Sequence, residues 1–175
     1  MKIIFEGPDN VGKTTQIKLI KDKFNKITFH TVHYSAVKHD SIIDCIDYNI
    51  KLYSEFFELL KKYNIIADRS HLGELVYGKL YRGYEGLYVI DLERNHKINE
   101  INDLYLIVLI DKPENLIKRE DGYSFSTNIE MKKKEIELFK KVYELSTIKN
   151  KVLININKKD PEQVHNEILT KLRLK

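Results

Sequence analysis

Two hydrophobic periodicities alternate along the chain. Short continuous apolar runs fall at residues 2–5, 65–67, 104–110 and 151–156, and a mixed run containing Ile27, Phe29 and Val32 covers 26–34. Continuous runs of this length read as strands buried on both faces. Between them, apolar residues recur at helical spacing. Ile17 and Ile20 do so after the first strand, and Ile42, Ile43, Ile46, Ile50, Phe57 and Leu60 do so over 41–62, where they are expected to face inward. A closing helix is expected over 162–172, with Asp160 as its cap and Pro161 in its first turn. Strands alternating with helices predict an α/β fold of three layers. A central parallel sheet of about five strands lies between helices, and ligands bind at the carboxyl ends of the strands.

Composition narrows this picture. At 175 residues, with 7 Gly and 3 Pro and no repeat, low-complexity tract or linker, a single domain over 1–175 is expected. The net charge of +4 comes from 30 basic and 26 acidic residues mixed along the chain. No nucleic-acid stripe stands out, and the mild positive balance favours small polyanions. The run Lys132-Lys133-Lys134, set among Glu130, Glu135 and Glu137, reads as a solvated helix face. The single cysteine, Cys45, excludes an internal disulfide and a cysteine-rich zinc site. The first strand begins at once, and the longest apolar run is too short to cross a bilayer, so a cytoplasmic protein is expected.

The chemistry concentrates in Gly7-Pro8-Asp9-Asn10-Val11-Gly12-Lys13-Thr14, between the first strand and the first helix. This satisfies G-x-x-x-x-G-K-[ST] in the strand–loop–helix setting the pattern needs. Backbone N–H groups there turn inward around phosphate oxygens, and the helix terminus adds its field. Lys13 reaches the outer phosphates, and the Thr14 hydroxyl meets Mg²⁺. Asp68-Arg69 follows the third strand at the same sheet edge. A carboxylate there can hold Mg²⁺ directly or through water, and a guanidinium can grip a phosphate with paired N–H groups. An ion pair capping the next helix is the structural alternative.

Phe5-Glu6-Gly7-Pro8-Asp9-Asn10-Val11-Gly12-Lys13-Thr14-Thr15-Gln16 resembles the phosphate loop of the thymidylate kinase family, nucleoside monophosphate kinases of the P-loop NTPase superfamily. The aspartate inside the loop makes the match specific. Asp68-Arg69-Ser70-His71-Leu72-Gly73-Glu74-Leu75-Val76-Tyr77 resembles that family's D-R segment and the helix behind it, and residues 109–119 and 136–145 resemble the elements around its lid. The resemblance implies transfer of the γ-phosphoryl group of ATP to a deoxynucleoside monophosphate, dTMP in first place, with Mg²⁺. Gly7, Asn10, Val11, Gly12, Lys13, Thr14 and Thr15 would bind ATP, and Lys13, Arg119 and Asp9 would form the catalytic group. Arg69 would hold the acceptor phosphate and Asp9 would accept from the acceptor 3′-hydroxyl. Tyr77 would lie beside the sugar, and Arg82 would contact phosphate or base. Thr14 and Asp68 would serve the metal. The implied partners are small-molecule nucleotides and a second subunit, paired through the 41–62 helix.

The chain also departs from that family. Asn10 stands where some members carry an arginine, so the cation falls to a lid at about 118–127, where Arg119 is the candidate. Tyr34-Ser35-Ala36-Val37-Lys38 and Tyr53-Ser54-Glu55-Phe56-Phe57 replace the base-recognition segments. Tyr34, Tyr53, Phe56 or Phe57 could stack on a base, but the arginine that reads a thymine carbonyl has no counterpart. A kinase for another monophosphate is therefore an alternative. So is a deoxynucleoside kinase, though that family sets an acid where Tyr34-Ser35 stands. A nucleotide switch would need Asp-x-x-Gly and Asn-Lys-x-Asp segments, which are not in suitable places. His33, His39 and His71 have no metal-like spacing.

Overall fold

The computed structural model describes residues 1–34 and 41–174. Five strands, β1 (Lys2–Glu6), β2 (His30–His33), β3 (Ile65–Asp68), β4 (Leu104–Ile110) and β5 (Asn150–Asn155), form one sheet. Their order is β2-β3-β1-β4-β5 and every pairing is parallel. The helices are α1 (Lys13–Lys23), α2 (Ile42–Lys62), α3 (Glu74–Tyr77), α4 (Tyr88–Asn95), α5 (Pro113–Lys118), α6 (Ile129–Leu145) and α7 (Pro161–Leu172). A π-type turn, Gly78–Arg82, extends α3. This is the expected α/β architecture. The inner strands carry the core, with Ile3, Ile4, Ile66, Ala67 and Leu106 fully buried. Among the described residues no helix is long and apolar enough to cross a membrane.

Three features differ from the sequence expectation. β2 starts at His30, four residues after the apolar pattern begins, and three of its four residues are exposed. It is an edge strand, so burial never selected a longer run. In α2 the inward stripe is Cys45, Asn49, Tyr53, Phe56, Phe57 and Leu60, whereas Ile42 and Ile43 are 47% and 71% exposed. Ile42 lies in the first turn, before packing begins, and Ile43 heads a stripe rotated off the buried face. The lysine run is not uniformly solvated. Lys133 and Lys134 are exposed, but Lys132 is fully buried, its Nζ 3.1 Å from Glu135 Oε2.

The helix ends follow local chemistry. Asp160 and Gln163 form a reciprocal capping box ahead of Pro161 in α7. Asn128 accepts from the backbone N–H groups of Glu130 and Met131, so α6 begins at Ile129, one residue before the helix face expected around Glu130 and the lysine run. Of the span 118–127 where the lid was expected, Lys118 ends α5 and the remaining residues contain neither helix nor strand.

Candidate active site

The phosphate loop takes its shape from backbone geometry. Gly7 has φ +143°, and a Cβ there would lie 2.3 Å from the Leu109 carbonyl oxygen on β4, so no other residue fits. Asn10 and Gly12 also have positive φ, and Gly12 caps α1. The Lys13 side chain folds back across the loop, its Nζ donating to the carbonyl oxygens of Gly7 (3.2 Å) and Pro8 (2.8 Å). Burial, then the neighbouring Arg69 charge, lowers its pKa to about 7. Val11 is buried beneath the loop, while Thr14 and Thr15 are exposed at its mouth.

Sheet order brings the second motif against this loop. Phe5 on β1 registers with Asp68 on β3, and the Arg69 N–H donates to the Phe5 carbonyl at 2.9 Å. Arg69 takes a left-handed backbone conformation, φ +70°, which side-chain-bearing residues rarely adopt and which clusters at functional sites. Its Nη1 donates to the Gly7 carbonyl (3.0 Å) and to the Tyr77 hydroxyl (2.6 Å), and its Nη2 pairs with Asp9 Oδ1. The second carboxylate oxygen of Asp9 is buried without a partner. Behind them, Glu6 accepts from the N–H (2.9 Å) and hydroxyl (2.8 Å) of Ser70. Burial outweighs the nearby cations and raises its pKa to about 7.

Asp68 Oδ2 accepts from the Thr14 hydroxyl at 3.3 Å and lies 3.5 Å from His33 Nδ1, while its Oδ1 is buried and unpartnered. A hydroxyl beside a carboxylate with an unused oxygen fits Mg²⁺, which takes oxygen ligands and keeps several waters. Among the described residues no cluster of three metal-ligating side chains competes with it.

Two cavities flank the loop. One, of about 440 Å³, is lined by Asp9, Arg69, Tyr77, Tyr34, Tyr53 and Arg82 among others. Phe125 roofs it, its ring 5.0 Å from that of Tyr81 and 5.1 Å from that of Tyr77. Phe56 and Phe57 are core residues. The other, of about 270 Å³, is lined by Asn10, Gly12, Thr15, Gln16, Arg119 and Lys159. Arg119 therefore stands on this second side, paired with Asp111, and does not line the cavity of Asp9 and Arg69. Arg82 does line it, but its Nη1 is held by both Glu74 oxygens at 2.7 Å. Residues 35–40, which include the Ser35–Lys38 segment and His39, lie outside the described residues. His71 is fully buried, 2.8 Å from Glu93.

Sequence reasoning passed over Glu74, Phe125 and the Lys132–Glu135 pair. The cue for Glu74 was an acid inside an apolar stretch, Leu72 to Tyr77. Nothing local marked Phe125, whose partners lie more than forty residues away.

No protein-family model matches the chain. It is 27% identical over 190 residues to a probable thymidylate kinase of Methanococcus vannielii, covering 95% of this chain and 92% of that protein. The fold matches the YorR protein of Bacillus subtilis, solved in complex with phosphorylated GDP, with a TM-score of 0.70 at 18% identity over 99% and 96% of the two chains. It also matches deoxyadenosine kinase from M. mycoides, solved with dCMP and dCDP, with a TM-score of 0.62 at 17% identity over 99% of each chain. The chain thus shares the fold of these proteins and resembles the probable thymidylate kinase along nearly its whole length.

Proposed function

We propose that this protein transfers the γ-phosphoryl group of ATP to a deoxynucleoside monophosphate, with dTMP as the foremost acceptor. The observation that carries this reading is the pair that Asp9, inside the phosphate loop, makes with Arg69 at the end of β3. An acceptor phosphate can take the Arg69 guanidinium from Asp9, which frees a carboxylate whose other oxygen is already unpartnered to accept a sugar hydroxyl. The donor triphosphate lies along the loop, with its nucleoside in the cavity of Gln16 and Arg119. Lys13 exchanges its carbonyl partners for the outer phosphate oxygens. Thr14 and Asp68 would hold Mg²⁺, which supplies charge neutralisation between the donor phosphates. Two anions brought together in line and screened from water need little else from the protein. Arg119, at the start of the lid, is the cation proposed to reach the transferring group.

A coupled assay of ADP release tests this. The protein should turn over with dTMP and ATP. Arg69→Ala should raise the acceptor KM by about tenfold or more, while ATP affinity stays within about threefold. Phosphorylation of thymidine but not of dTMP would sink the acceptor reading and move the protein to the deoxynucleoside kinases.

A further inference from the structure

Residues 119–126, between α5 and α6, are fastened to the rest of the molecule at two points. The first is on the phosphate loop. Asn10 Nδ2 donates to Glu120 Oε2 and to Ser124 Oγ, each at 3.2 Å, although Asn10 and Glu120 are 110 residues apart in sequence. Glu120 Oε1 accepts from the backbone N–H groups of Gly122 (2.8 Å) and Ser124 (3.2 Å), so the segment is wound around its own carboxylate. Gly122 permits that turn with φ +90°. The second point is on Tyr77 and Tyr81, against which the Phe125 ring packs. Tyr123, between the two, is 89% exposed.

The charges at the first fastening are the reverse of what a triphosphate on the loop needs. Hydrogen bonding, from the Ser124 side chain first, lowers the pKa of Glu120, so an anion touches the phosphate loop at neutral pH. The neighbouring cation is engaged elsewhere. Arg119 Nη2 pairs with the buried Asp111, and its Nε donates to the Asn115 carbonyl at 3.1 Å. A polyanion laid along the loop changes this balance. It meets Glu120 as a like charge, and it offers Arg119 a counter-charge that rivals Asp111.

We propose that the contact of Glu120 with Asn10 is an autoinhibitory latch. It holds residues 119–126 in a resting arrangement with Arg119 kept on Asp111, and a donor triphosphate releases it by repelling the carboxylate and drawing Arg119 to its phosphates. The proposal rests on the reading that ATP lies along the phosphate loop. A ligand shifts a two-state element only through unequal affinity for the two states, and here one carboxylate and one guanidinium supply the inequality. Such a latch lowers ATP affinity. In complexes that stay latched it also keeps Arg119 off the transferring group, which slows transfer to water as well as to the acceptor.

Two substitutions separate charge from contact. Glu120→Gln keeps an acceptor oxygen for Asn10 but removes the charge, and Glu120→Ala removes both. Calorimetric titration with ATP should show binding about threefold tighter in the first and about fivefold tighter in the second. ATP hydrolysis without acceptor should rise about threefold in Glu120→Ala, and adding Arg119→Ala should abolish that gain. The chain has no tryptophan, so Tyr123→Trp places a single reporter on the segment. Its emission should shift when a non-hydrolysable ATP analogue is added, and combining it with Glu120→Ala should give the shifted emission without nucleotide. Unchanged or weaker ATP binding in Glu120→Ala overturns the proposal. So does a nucleotide-free emission in the combined variant that matches Tyr123→Trp alone. A hydrolysis gain that survives Arg119→Ala overturns the part assigned to Arg119. Should ATP bind no variant, the donor reading fails, yet the two nucleotide-free emissions still decide the latch.

Discussion

Lys13 is buried among charges that partly cancel, and without nucleotide its charged form is disfavoured enough to bring the pKa to about 7. A triphosphate beside it favours the cation again. At pH 8 the empty site holds a largely neutral amine, so ATP binding should take up a proton. Calorimetry in buffers of differing ionisation enthalpy should read an uptake approaching one proton, and no buffer dependence would refute it. The linkage to folding has a definite sign. Below about pH 10.5 the unfolded lysine is charged, and between there and about 7 the folded one is not, so this group's contribution to stability rises with pH across that window. The residues of the loop were legible because the spacing of Asp9, Lys13 and Thr14 itself carries chemistry. The partnership of Glu74 with Arg82 was not, because it depends on the π-type turn bringing position 82 back toward position 74.

At the scale of elements, legibility followed burial. The run 104–110 matched β4 residue for residue because continuous apolarity has one economical use in a sheet covered on both faces. The edge strand β2 was misjudged, since it is mostly exposed, whereas the start of α6, set by the Asn128 cap, falls one residue before the helix face expected around Glu130. The capping box of α7 was half visible, in Asp160-Pro161, and it also serves the site. Gln16, on α1 behind the loop, donates to the Pro161 carbonyl at 2.9 Å, so the start of α7 walls the cavity lined by Asn10, Gln16 and Arg119. Asp160→Ala should cost about 1 kcal/mol in urea unfolding and weaken ATP binding more than dTMP binding. Equal loss for both ligands would mean that α7 supports the fold without shaping the donor side.

In the whole molecule, the sheet order β2-β3-β1-β4-β5 places the two cavities on opposite sides of the loop that follows β1. Their contents should meet there. A molecule joining adenosine to thymidine through a polyphosphate chain should raise the melting temperature by about 4 °C more than ATP and dTMP together at equal concentration, since it spans both cavities at the entropic cost of one ligand. A shift no larger than that of ATP alone would show that the cavities are not connected.

The buried Lys132–Glu135 pair has a consequence for how this sequence can change over generations. Glu135 also accepts from the Tyr81 hydroxyl at 2.5 Å, and Tyr81 in turn stacks on Phe125. Loss of either charge alone strands the other in the interior, at about 3–5 kcal/mol, whereas replacing both with apolar residues of similar volume can be nearly free. Lys133 and Lys134 can drift singly. Lys132 and Glu135 are a joint inheritance, separated from an apolar alternative by a valley that one-step mutation crosses only with stability to spare.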